Sequence, residues 1–368
     1  MIIGTIKETK DGEGRVGLTP ELVSELYHAG NKVLVQKGAG EGIGVNDLKY
    51  FLEGAEICDT AEDVAKRCDM LVKVKEPTPA EFHLLDLIKG KILITFLHLG
   101  ANKALADKLC ECNITGISYD TIENEYGDLY MLKPMSIIAG ELAAEQIATC
   151  YKQKLTRAPE KVCVIGCGIS GQSAFKQMAS MFRRSSNSFS DLHIFDLNNE
   201  KLKELKHFLK DGDNMKINRR QKFTFWNRAI SSDDLKNCDA VIGAVLIPGK
   251  KAPIIISKEQ LRLLPRKAFL VDIAIDQGGC IEGVHPTTLN NMFYEEDNLL
   301  FSCVPNLPGS TPYKATYRLS MSTSQTIFSI AQNGIKQTCK TFAGFEAGIN
   351  TQGGKVVNET VLRALNGK

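Results

Sequence analysis

The sequence predicts an α/β protein with two domains, each built on a doubly wound parallel sheet, and a cleft between the domains. Three observations support this prediction. At 368 residues the chain is long for one domain and sufficient for two. Short apolar runs alternate with helical patterns in strand–helix order, and this alternation occurs twice. A glycine-rich turn between a strand and a helix occurs only in the second series. We assign residues 1–134 and 309–368 to one domain and residues 135–308 to the other.

In the first half, five short apolar runs are typical of buried parallel strands. They are residues 2–7, 32–36, 71–75, 92–97 and 114–119. Thr19 is predicted to cap a helix with Pro20 in its first turn and Gly30 at its end. Thr60 caps a second helix, and residues 102–112 form a third.

A helix at about residues 136–152, rich in good helix formers, is predicted to connect the halves. Six strands are predicted after it, at residues 162–165, 192–195, 223–226, 240–245, 269–273 and 300–303. A helical pattern at residues 172–182 follows the first of these strands. The chain becomes helical again at about residues 322–335, and we expect this last part to pack on the first domain.

Composition excludes several classes of partner. The 45 basic and 43 acidic residues give a net charge of +2, which favours neither nucleic acid nor a membrane surface. No window has the apolar length of a transmembrane helix, and the N-terminal apolar run is too short for a signal peptide. The eleven cysteines show neither a disulfide framework nor a zinc pattern, so no metal site is predicted. Many lie in apolar segments as small buried thiols, which fits a reducing cytoplasm.

The segment VIGCGISG carries the most specific local pattern. Gly166, Gly168 and Gly171 follow the order G-x-G-x-x-G between a strand and a helix. The first glycine permits a tight turn, the second lets a pyrophosphate approach the backbone, and the third lets the helix pack close to the strand. The next strand ends at Asp196, whose carboxylate suits a ribose 2′-hydroxyl and repels a 2′-phosphate. This pattern predicts a Rossmann-like domain that binds NAD rather than NADP. The alternative is a tight turn that binds no nucleotide.

Further segments, spread in the same order from residue 1 to about residue 331, resemble signature segments of the alanine dehydrogenase family. They are MIIGTIKETKDGEGRVGLTP, LVKVKEP, ITFLHLG, KPMSIIAG, GAVLIPGKKAP, VDIAIDQGG and VPNLPGSTP. The soluble NAD-binding part of the proton-pumping nicotinamide nucleotide transhydrogenases shares some of them, but the histidine of LHL favours the dehydrogenase. The resemblance implies NAD-dependent deamination of L-alanine to pyruvate and ammonium, and the reverse reaction. It also implies a homo-oligomer, a hexamer or a dimer.

Such a reaction needs cationic groups that bind the substrate carboxylate. Arg15 lies in a Gly-rich loop after the first strand, and its guanidinium can hold a carboxylate by two parallel hydrogen bonds. Lys75 ends the 71–75 run, at the strand end where α/β proteins bind ligands. From position alone, Arg15 would be a solvated loop charge, and Lys73 shares the strand face of Lys75. The resemblance assigns substrate binding to Arg15 and Lys75 and leaves Lys73 structural.

The reaction also needs a group that exchanges a proton with the substrate. His98 follows the 92–97 run, and imidazole changes protonation near neutral pH. A histidine beside an apolar run is more often a core residue, but position and resemblance together favour general acid/base catalysis. Asp276 follows the 269–273 strand in a Gly-rich turn, and the resemblance makes it the catalytic acid opposite His98. Asp272, inside that strand, is the structural alternative.

The resemblance also implies further cofactor contacts. Ser136 would lie near the phosphates or the nicotinamide, although it is also a candidate N-cap for the connecting helix. The remaining contacts are Lys201 and the pair Val245 and Leu246 on the adenosine side, and Ile273, Val304, Asn306 and Leu307 on the nicotinamide side. The apolar members of this set would otherwise be core residues.

The chain departs from the family pattern at several points. Ile137 replaces a common acidic residue, Gly100 replaces an alanine, and a polar insertion occupies residues 183–191. These departures leave the substrate and catalytic residues unchanged. Three alternatives stay open: a dehydrogenase of another small L-amino acid, an NAD(H)-binding transhydrogenase-like module without amino-acid chemistry, and a catalytically silent descendant that keeps the fold as a binding or structural protein.

Overall fold

The computed structural model describes residues 1–155, 159–181, 191–211, 222–245 and 251–367. Backbone contacts divide the chain into two compact units. The first unit comprises Met1–Met135 and Gly309–Lys368, and the second comprises Ser136–Pro308. The first unit is therefore discontinuous in sequence, because the whole second unit is inserted between its two segments.

The N-terminal segment of the first unit contains six strands and five helices. In chain order they are β1 (Ile2–Thr5), α1 (Pro20–His28), β2 (Lys32–Gln36), α2 (Asp47–Leu52), β3 (Ala55–Cys58), α3 (Ala61–Arg67), β4 (Met70–Val72), α4 (Phe82–Leu87), β5 (Ile92–Thr95), α5 (Lys103–Glu111) and β6 (Thr115–Ser118). Helix α1 begins as its sequence predicts, because the Thr19 side chain accepts a hydrogen bond from the Leu22 backbone N–H and Pro20 occupies the first turn.

The long helix α6 (Lys133–Lys154) leads into the second unit. The elements that follow it are β7 (Lys161–Ile165), α7 (Ile169–Met181), β8 (Asp191–Phe195), α8 (Asn199–Asp211), β9 (Lys222–Trp226), α9 (Ser232–Leu235), β10 (Ala240–Gly243), α10 (Lys258–Leu261), β11 (Phe269–Asp272), β12 (Tyr294–Glu296) and β13 (Leu299–Ser302). Alternate side chains of β7 enter two different cores: Val162 and Val164 pack under α7 and α8, whereas Cys163 and Ile165 pack on the opposite face of the sheet. Both faces are therefore buried, as in other parallel sheets.

The C-terminal segment completes the first unit with α11 (Pro312–Thr341), β14 (Ile349–Gln352), β15 (Lys355–Val356) and α12 (Glu359–Leu365). Helix α11 is broken at Gly334, whose φ of 74° and ψ of 167° are not helical. Strand β14 pairs antiparallel with β6 and β15 pairs antiparallel with β14, so these residues extend the first sheet.

Both sheets have the same strand order. Six parallel strands of the first sheet lie in the order β3-β2-β1-β4-β5-β6, and six of the second lie in the order β9-β8-β7-β10-β11-β13. Each is the doubly wound 3-2-1-4-5-6 order, so the prediction of two Rossmann-like α/β domains is confirmed. In such sheets a crevice opens at the carboxyl ends of the two strands where the winding reverses. These strands are β1 and β4 in the first unit, and β7 and β10 in the second.

Several predicted boundaries are wrong, and the differences matter for the site. Strand β4 ends at Val72 and β5 at Thr95, so only the first two residues of the predicted run 71–75 and the first four of the run 92–97 are strand. Lys73 and Lys75 therefore do not share a strand face. Helix α6 begins at Lys133, which places Ser136 inside its first turn and not at its N-cap. Strands β3, β12, β14 and β15 were not predicted.

Candidate active site

Three residues predicted to act on substrate lie on connections that leave the carboxyl edge of the first sheet. Arg15 follows β1, Lys75 follows β4 and His98 follows β5. Because β1 and β4 are the strands where the winding reverses, Arg15 and Lys75 flank the position at which doubly wound sheets bind ligands. The fold thus brings together residues that are up to 83 positions apart.

Arg15 is held by a carboxylate that the sequence analysis did not identify. Its guanidinium donates to Glu13 through Nε at 2.7 Å and also through Nη2, and its Nη1 lies 3.1 Å from the Met135 sulfur. Both charged side chains are almost fully buried, with 2% of the Arg15 side chain and none of the Glu13 side chain exposed. A paired and hydrogen-bonded arginine can be kept charged out of water, with its plane fixed.

The segment that carries Lys75 is fastened by Glu8. One oxygen of Glu8 accepts hydrogen bonds from the backbone N–H of Val74 at 2.7 Å and of Lys75 at 3.4 Å. The other oxygen lies 3.1 Å from Lys73 Nζ, which also donates to Glu81 at 2.9 Å. Burial would lower the pKa of Lys73, but its two carboxylate partners outweigh burial and raise it. Lys73 is thus a buried structural cation beneath the segment that presents Lys75.

His98 has an unusual backbone conformation. Its φ of 48° and ψ of 34° lie in the left-handed region, which residues with a β-carbon seldom adopt. Its ring stacks on Phe96 with 5.9 Å between centroids, and its Nδ1 lies 3.0 Å from an oxygen of Glu76. Backbone strain of this kind persists where surrounding contacts maintain it, and it concentrates at functional sites.

Glu76 joins His98 to the two lysines nearby. Its second oxygen accepts a hydrogen bond from Lys10 Nζ at 2.6 Å, and Lys75 precedes it in the chain. Burial would raise the pKa of Glu76. The hydrogen bond from His98, the charge of Lys75 and the hydrogen bond from Lys10 together outweigh burial and hold that pKa well below its ordinary value. Glu76 therefore remains ionised beside His98.

Three glutamates thus hold the residues predicted to act on substrate, and none of the three was identified from the sequence. Glu13 stands two residues before Arg15, and Glu76 directly follows Lys75, so a search for carboxylates next to each candidate cation would have found both. Glu8 had no such signal, because its partners lie more than sixty residues further along the chain.

The glycine turn of the second unit has the geometry of a phosphate-binding loop. A β-carbon on Gly166 would lie 2.5 Å from the carbonyl oxygen of Ala244, and one on Gly171 would lie 1.8 Å from the carbonyl oxygen of Gly166. Gly166 also has a φ of 100°. At Gly168, by contrast, no described atom beyond that glycine and its two chain neighbours lies within 4 Å of a β-carbon position. Two glycines therefore serve backbone packing, and the third leaves an open approach of the kind a pyrophosphate needs.

Asp196 lies beside this turn, at the end of β8. One carboxylate oxygen accepts the backbone N–H of Cys167 at 2.5 Å, and the other accepts that of Asn198 at 2.7 Å. The side chain of Asn227, after β9, donates to the carbonyl oxygens of Asp196 and Leu197. The predicted ribose-binding acid is thus connected to the glycine turn and held from the neighbouring strand, so these residues fit a dinucleotide.

Asp276 and Asp272 have different environments. Asp276 is exposed in a short 3₁₀ turn after β11. Asp272 is completely buried, and its carboxylate accepts hydrogen bonds from the backbone N–H groups of Ala274, Cys280 and Ile281 at 2.8–3.0 Å. Burial raises the pKa of Asp272, although these donors oppose the shift. Asp272 therefore shapes the loop on which Asp276 is exposed.

The other predicted cofactor residues fall into two groups. Val304 and Leu307 are buried and pack with Ala139 of α6, and Ile273 packs against the same cluster. Asn306 between them has a left-handed backbone with a φ of 57°. The second group is peripheral. Lys201 is exposed on α8, Ser136 and Val245 are partly exposed, and Leu246 lies outside the described residues.

No cluster of three or more histidine, cysteine, aspartate or glutamate side chains that could bind a metal ion occurs in the described part of the chain. Within the same residues, no helix is both long and apolar enough to cross a membrane.

Two family models match the chain. The model described as "Alanine dehydrogenase/PNT, N-terminal domain" matches residues 4–139, and that described as "Alanine dehydrogenase/PNT, C-terminal domain" matches residues 147–359. The chain belongs to the alanine dehydrogenase/PNT family. The resemblance inferred from the sequence is thereby confirmed, and this family member is an oxidoreductase.

Similar proteins extend over the whole of this alanine dehydrogenase/PNT family member. It is 34% identical to an alanine dehydrogenase of Mycolicibacterium smegmatis over 377 residues, which cover 100% of this chain and 97% of that relative. A solved L-alanine dehydrogenase superposes with a TM-score of 0.86 at 33% identity and covers 100% of this chain and 99% of its own. A transhydrogenase from Sinorhizobium meliloti superposes with a TM-score of 0.77 at 23% identity, covering 98% and 99% of the two chains. The last similarity shows a shared fold only.

Proposed function

We propose that this protein is an NAD-dependent alanine dehydrogenase that converts L-alanine to pyruvate and ammonium, and catalyses the reverse reductive amination. The observation that carries the proposal is the placement of Arg15, Lys75 and His98 on the carboxyl edge of one sheet, in a chain that resembles alanine dehydrogenases along its full length. The family also includes transhydrogenases. We favour a dehydrogenase because His98, at the end of a strand, can exchange a proton with an amino-acid substrate.

Arg15 and Lys75 bind the substrate's oxygens in this proposal. Glu13 accepts hydrogen bonds from Nε and Nη2 of Arg15 and so fixes the guanidinium that binds the substrate carboxylate. Lys75 adds a second positive charge and binds the keto oxygen of pyruvate. Glu8 holds the backbone of Lys75, which limits the movement of its ammonium group.

His98 moves the proton. In the direction of amination, imidazolium donates a proton to the oxygen that leaves the carbinolamine as water, and in deamination neutral imidazole removes a proton from the attacking water. Asp276 stabilises the positive charge that develops on the substrate nitrogen.

Gly166, Gly168 and Gly171 bind the pyrophosphate of NAD, and Asp196 binds the 2′-hydroxyl of its adenosine ribose. The other cofactor residues are Ser136, Lys201, Val245, Leu246, Ile273, Val304, Asn306 and Leu307. When bound, a nicotinamide would supply hydride transfer to and from the substrate Cα, which no side chain can provide.

The test is the formation of NADH from NAD and L-alanine, with D-alanine as the stereochemical control and serine, 2-aminobutyrate and glycine as rival substrates. His98→Ala and Asp276→Ala should each abolish turnover and retain NADH binding. His83→Ala removes an exposed histidine on α4 and is the matched control. Turnover that survives either substitution would remove that residue from the mechanism. Faster turnover with a rival amino acid would reassign the substrate.

We also propose a homo-oligomer in a reducing cytoplasm. All eleven cysteines are free thiols and nine of them are buried, which suits a reducing compartment. Light scattering coupled to gel filtration gives the oligomeric state, for which the family suggests a hexamer or a dimer.

A further inference from the structure

The side chain of Glu76 and the imidazole of His98 form a pair that the reaction scheme above does not explain. Glu76 Oε2 lies 3.0 Å from His98 Nδ1, and 16% of the Glu76 side chain is exposed compared with 42% of His98. The imidazole is also stacked on Phe96, with 15° between the ring planes. A hydrogen bond in the ring plane and a stacked ring above it together fix the orientation of an imidazole.

The chemistry of a carboxylate determines which nitrogen of His98 carries the proton. An ionised carboxylate can only accept hydrogen bonds, so the Nδ1 atom that faces it must be the donor. A neutral imidazole has one donor and one acceptor nitrogen. With its proton on Nδ1, the acceptor lone pair of His98 is on Nε2.

We propose that Glu76 is a positioning residue that holds neutral His98 in the Nδ1–H tautomer, so that Nε2 exchanges the proton with the substrate. The proposal rests on the alanine dehydrogenase function proposed above. When Nε2 takes a proton from the attacking water, Nδ1 keeps its own proton, and the imidazolium that forms is paired with the Glu76 carboxylate. When Nε2 returns the proton, the pair is neutral imidazole and carboxylate again.

The surroundings of Glu76 support this role. Lys10 Nζ donates to Oε1 at 2.6 Å, so the carboxylate is fixed through both oxygens, one on Lys10 and one on His98. Glu76 also directly follows Lys75, so the residue that orients the proton-transfer group and a residue that binds the substrate share one short segment. Movement of that segment displaces both groups together, which keeps their relative positions.

A second glutamate–histidine pair provides a matched control. Glu62 Oε1 lies 3.0 Å from His83 Nε2 on the outer surface of the first unit, with about half of each side chain exposed, 45% and 55%. The distance is the same as in the Glu76–His98 pair, but both side chains of the control pair are exposed in the first turns of α3 and α4, and neither is assigned to substrate or cofactor. Glu62→Gln therefore repeats the chemical change outside the assigned residues.

The test combines kinetics with nitrogen NMR. Glu76→Gln keeps the size of the side chain but offers His98 an amide that can donate. We expect kcat with L-alanine to fall about 10- to 100-fold, which on a logarithmic scale is about half of the usual contribution of a positioned acid/base. KM values and the affinity for NADH should stay within about twofold. Glu62→Gln should match wild type in all of these measurements.

In wild-type protein labelled with ¹⁵N-histidine, the His98 resonances, assigned by their loss in His98→Ala, should show a protonated Nδ1. In Glu76→Gln the proton should shift toward Nε2. A wild-type His98 protonated on Nε2, or a Glu76→Gln variant with wild-type kcat, would overturn the proposal. Wild-type protein without alanine turnover would instead contradict the proposed function, and the NMR measurement would still decide the role of Glu76.

Discussion

Single alanine substitutions in the glycine turn should separate its two roles, packing and cofactor binding. A β-carbon on Gly171 would lie 1.8 Å from the Gly166 carbonyl oxygen, where side-chain carbons keep at least 3.0 Å, so α7 would have to retreat by about 1.2 Å. A β-carbon on Gly168 would meet no described atom within 4 Å, and its φ is not positive. Gly171→Ala should therefore harm the fold, and Gly168→Ala should harm only the binding of NAD.

The magnitudes follow from these contacts. Overpacking against backbone costs about 3 kcal/mol at the upper end of its range. Alanine regains about 1 kcal/mol as the better helix former, so Gly171→Ala should lower the free energy of unfolding by about 2 kcal/mol. Gly168→Ala should leave that free energy unchanged, or raise it by about 0.4–1 kcal/mol by restricting the unfolded chain. If its methyl group costs the bound pyrophosphate about 1–3 kcal/mol, affinity for NAD falls about 5- to 150-fold.

Two measurements decide the outcome. Urea denaturation gives the free energy of unfolding, and energy transfer from Trp226, the only tryptophan, to NADH gives affinity without any need for turnover. Trp226 is well placed for this assay, because its carbonyl oxygen accepts the backbone N–H of Asp196 at 3.1 Å. Wild-type affinity in Gly168→Ala would refute the assignment of the open face to phosphate. Wild-type stability in Gly171→Ala would refute the packing argument.

Three other substitutions test the interior charges and polar groups. Lys73→Met leaves its two buried carboxylate partners without a cation and should cost about 3–5 kcal/mol in urea denaturation, whereas Lys49→Met, which breaks an exposed ion pair, should cost nothing measurable. Burial, followed by the charge of a nearby lysine, lowers the pKa of His193. The unfolded chain therefore binds a proton that the folded protein resists, and stability should decline as the pH falls below about 6.5. His193→Gln should flatten this decline in stability. In the wild-type protein the fluorescence emission of Trp226 should change over the same pH range, because the indole N–H donates to His193 Nδ1 and a protonated Nδ1 cannot accept that hydrogen bond. Asp272→Asn turns an amide group toward backbone N–H donors and should lower stability by about 1–3 kcal/mol, measured by thermal unfolding.

Local sequence signals predicted helices and strands well where the residues themselves favour one backbone conformation. Pro20 after Thr19, the apolar run of β2 and the glycine turn before α7 each specify a local backbone, and each is found as predicted. Strands β14 and β15, at one edge of the first sheet, were missed because their short, largely polar sequences contain no apolar run. They are strands because β6 offers an unpaired edge, which is a tertiary cause.

The candidate site shows the same division. Lys75 and His98 could be found because they stand at the ends of apolar runs, whereas the family resemblance identified Arg15 and selected Lys75 over Lys73. Strand β4 proved shorter than its run, because the chain turns at Lys73 to bury that cation against Glu8. Ion pairs between residues 65 positions apart depend on where loops meet, and no periodicity in the sequence encodes them. Glu13 and Glu76, the partners of Arg15 and His98, were missed for a different reason: an acidic residue in a loop is usually only a solvated charge.

The insertion of the second unit into the first has a consequence for biosynthesis. During translation, every strand of the cofactor sheet leaves the ribosome before β14 does, so that sheet can be completed first. Until β14 has been synthesised, the nascent substrate domain exposes the unpaired edge of β6, on which strands of other chains can pair. The window of greatest vulnerability to aggregation should therefore close only when the last sixty residues have been synthesised, and truncations within them should yield insoluble protein while sparing the nucleotide-binding half.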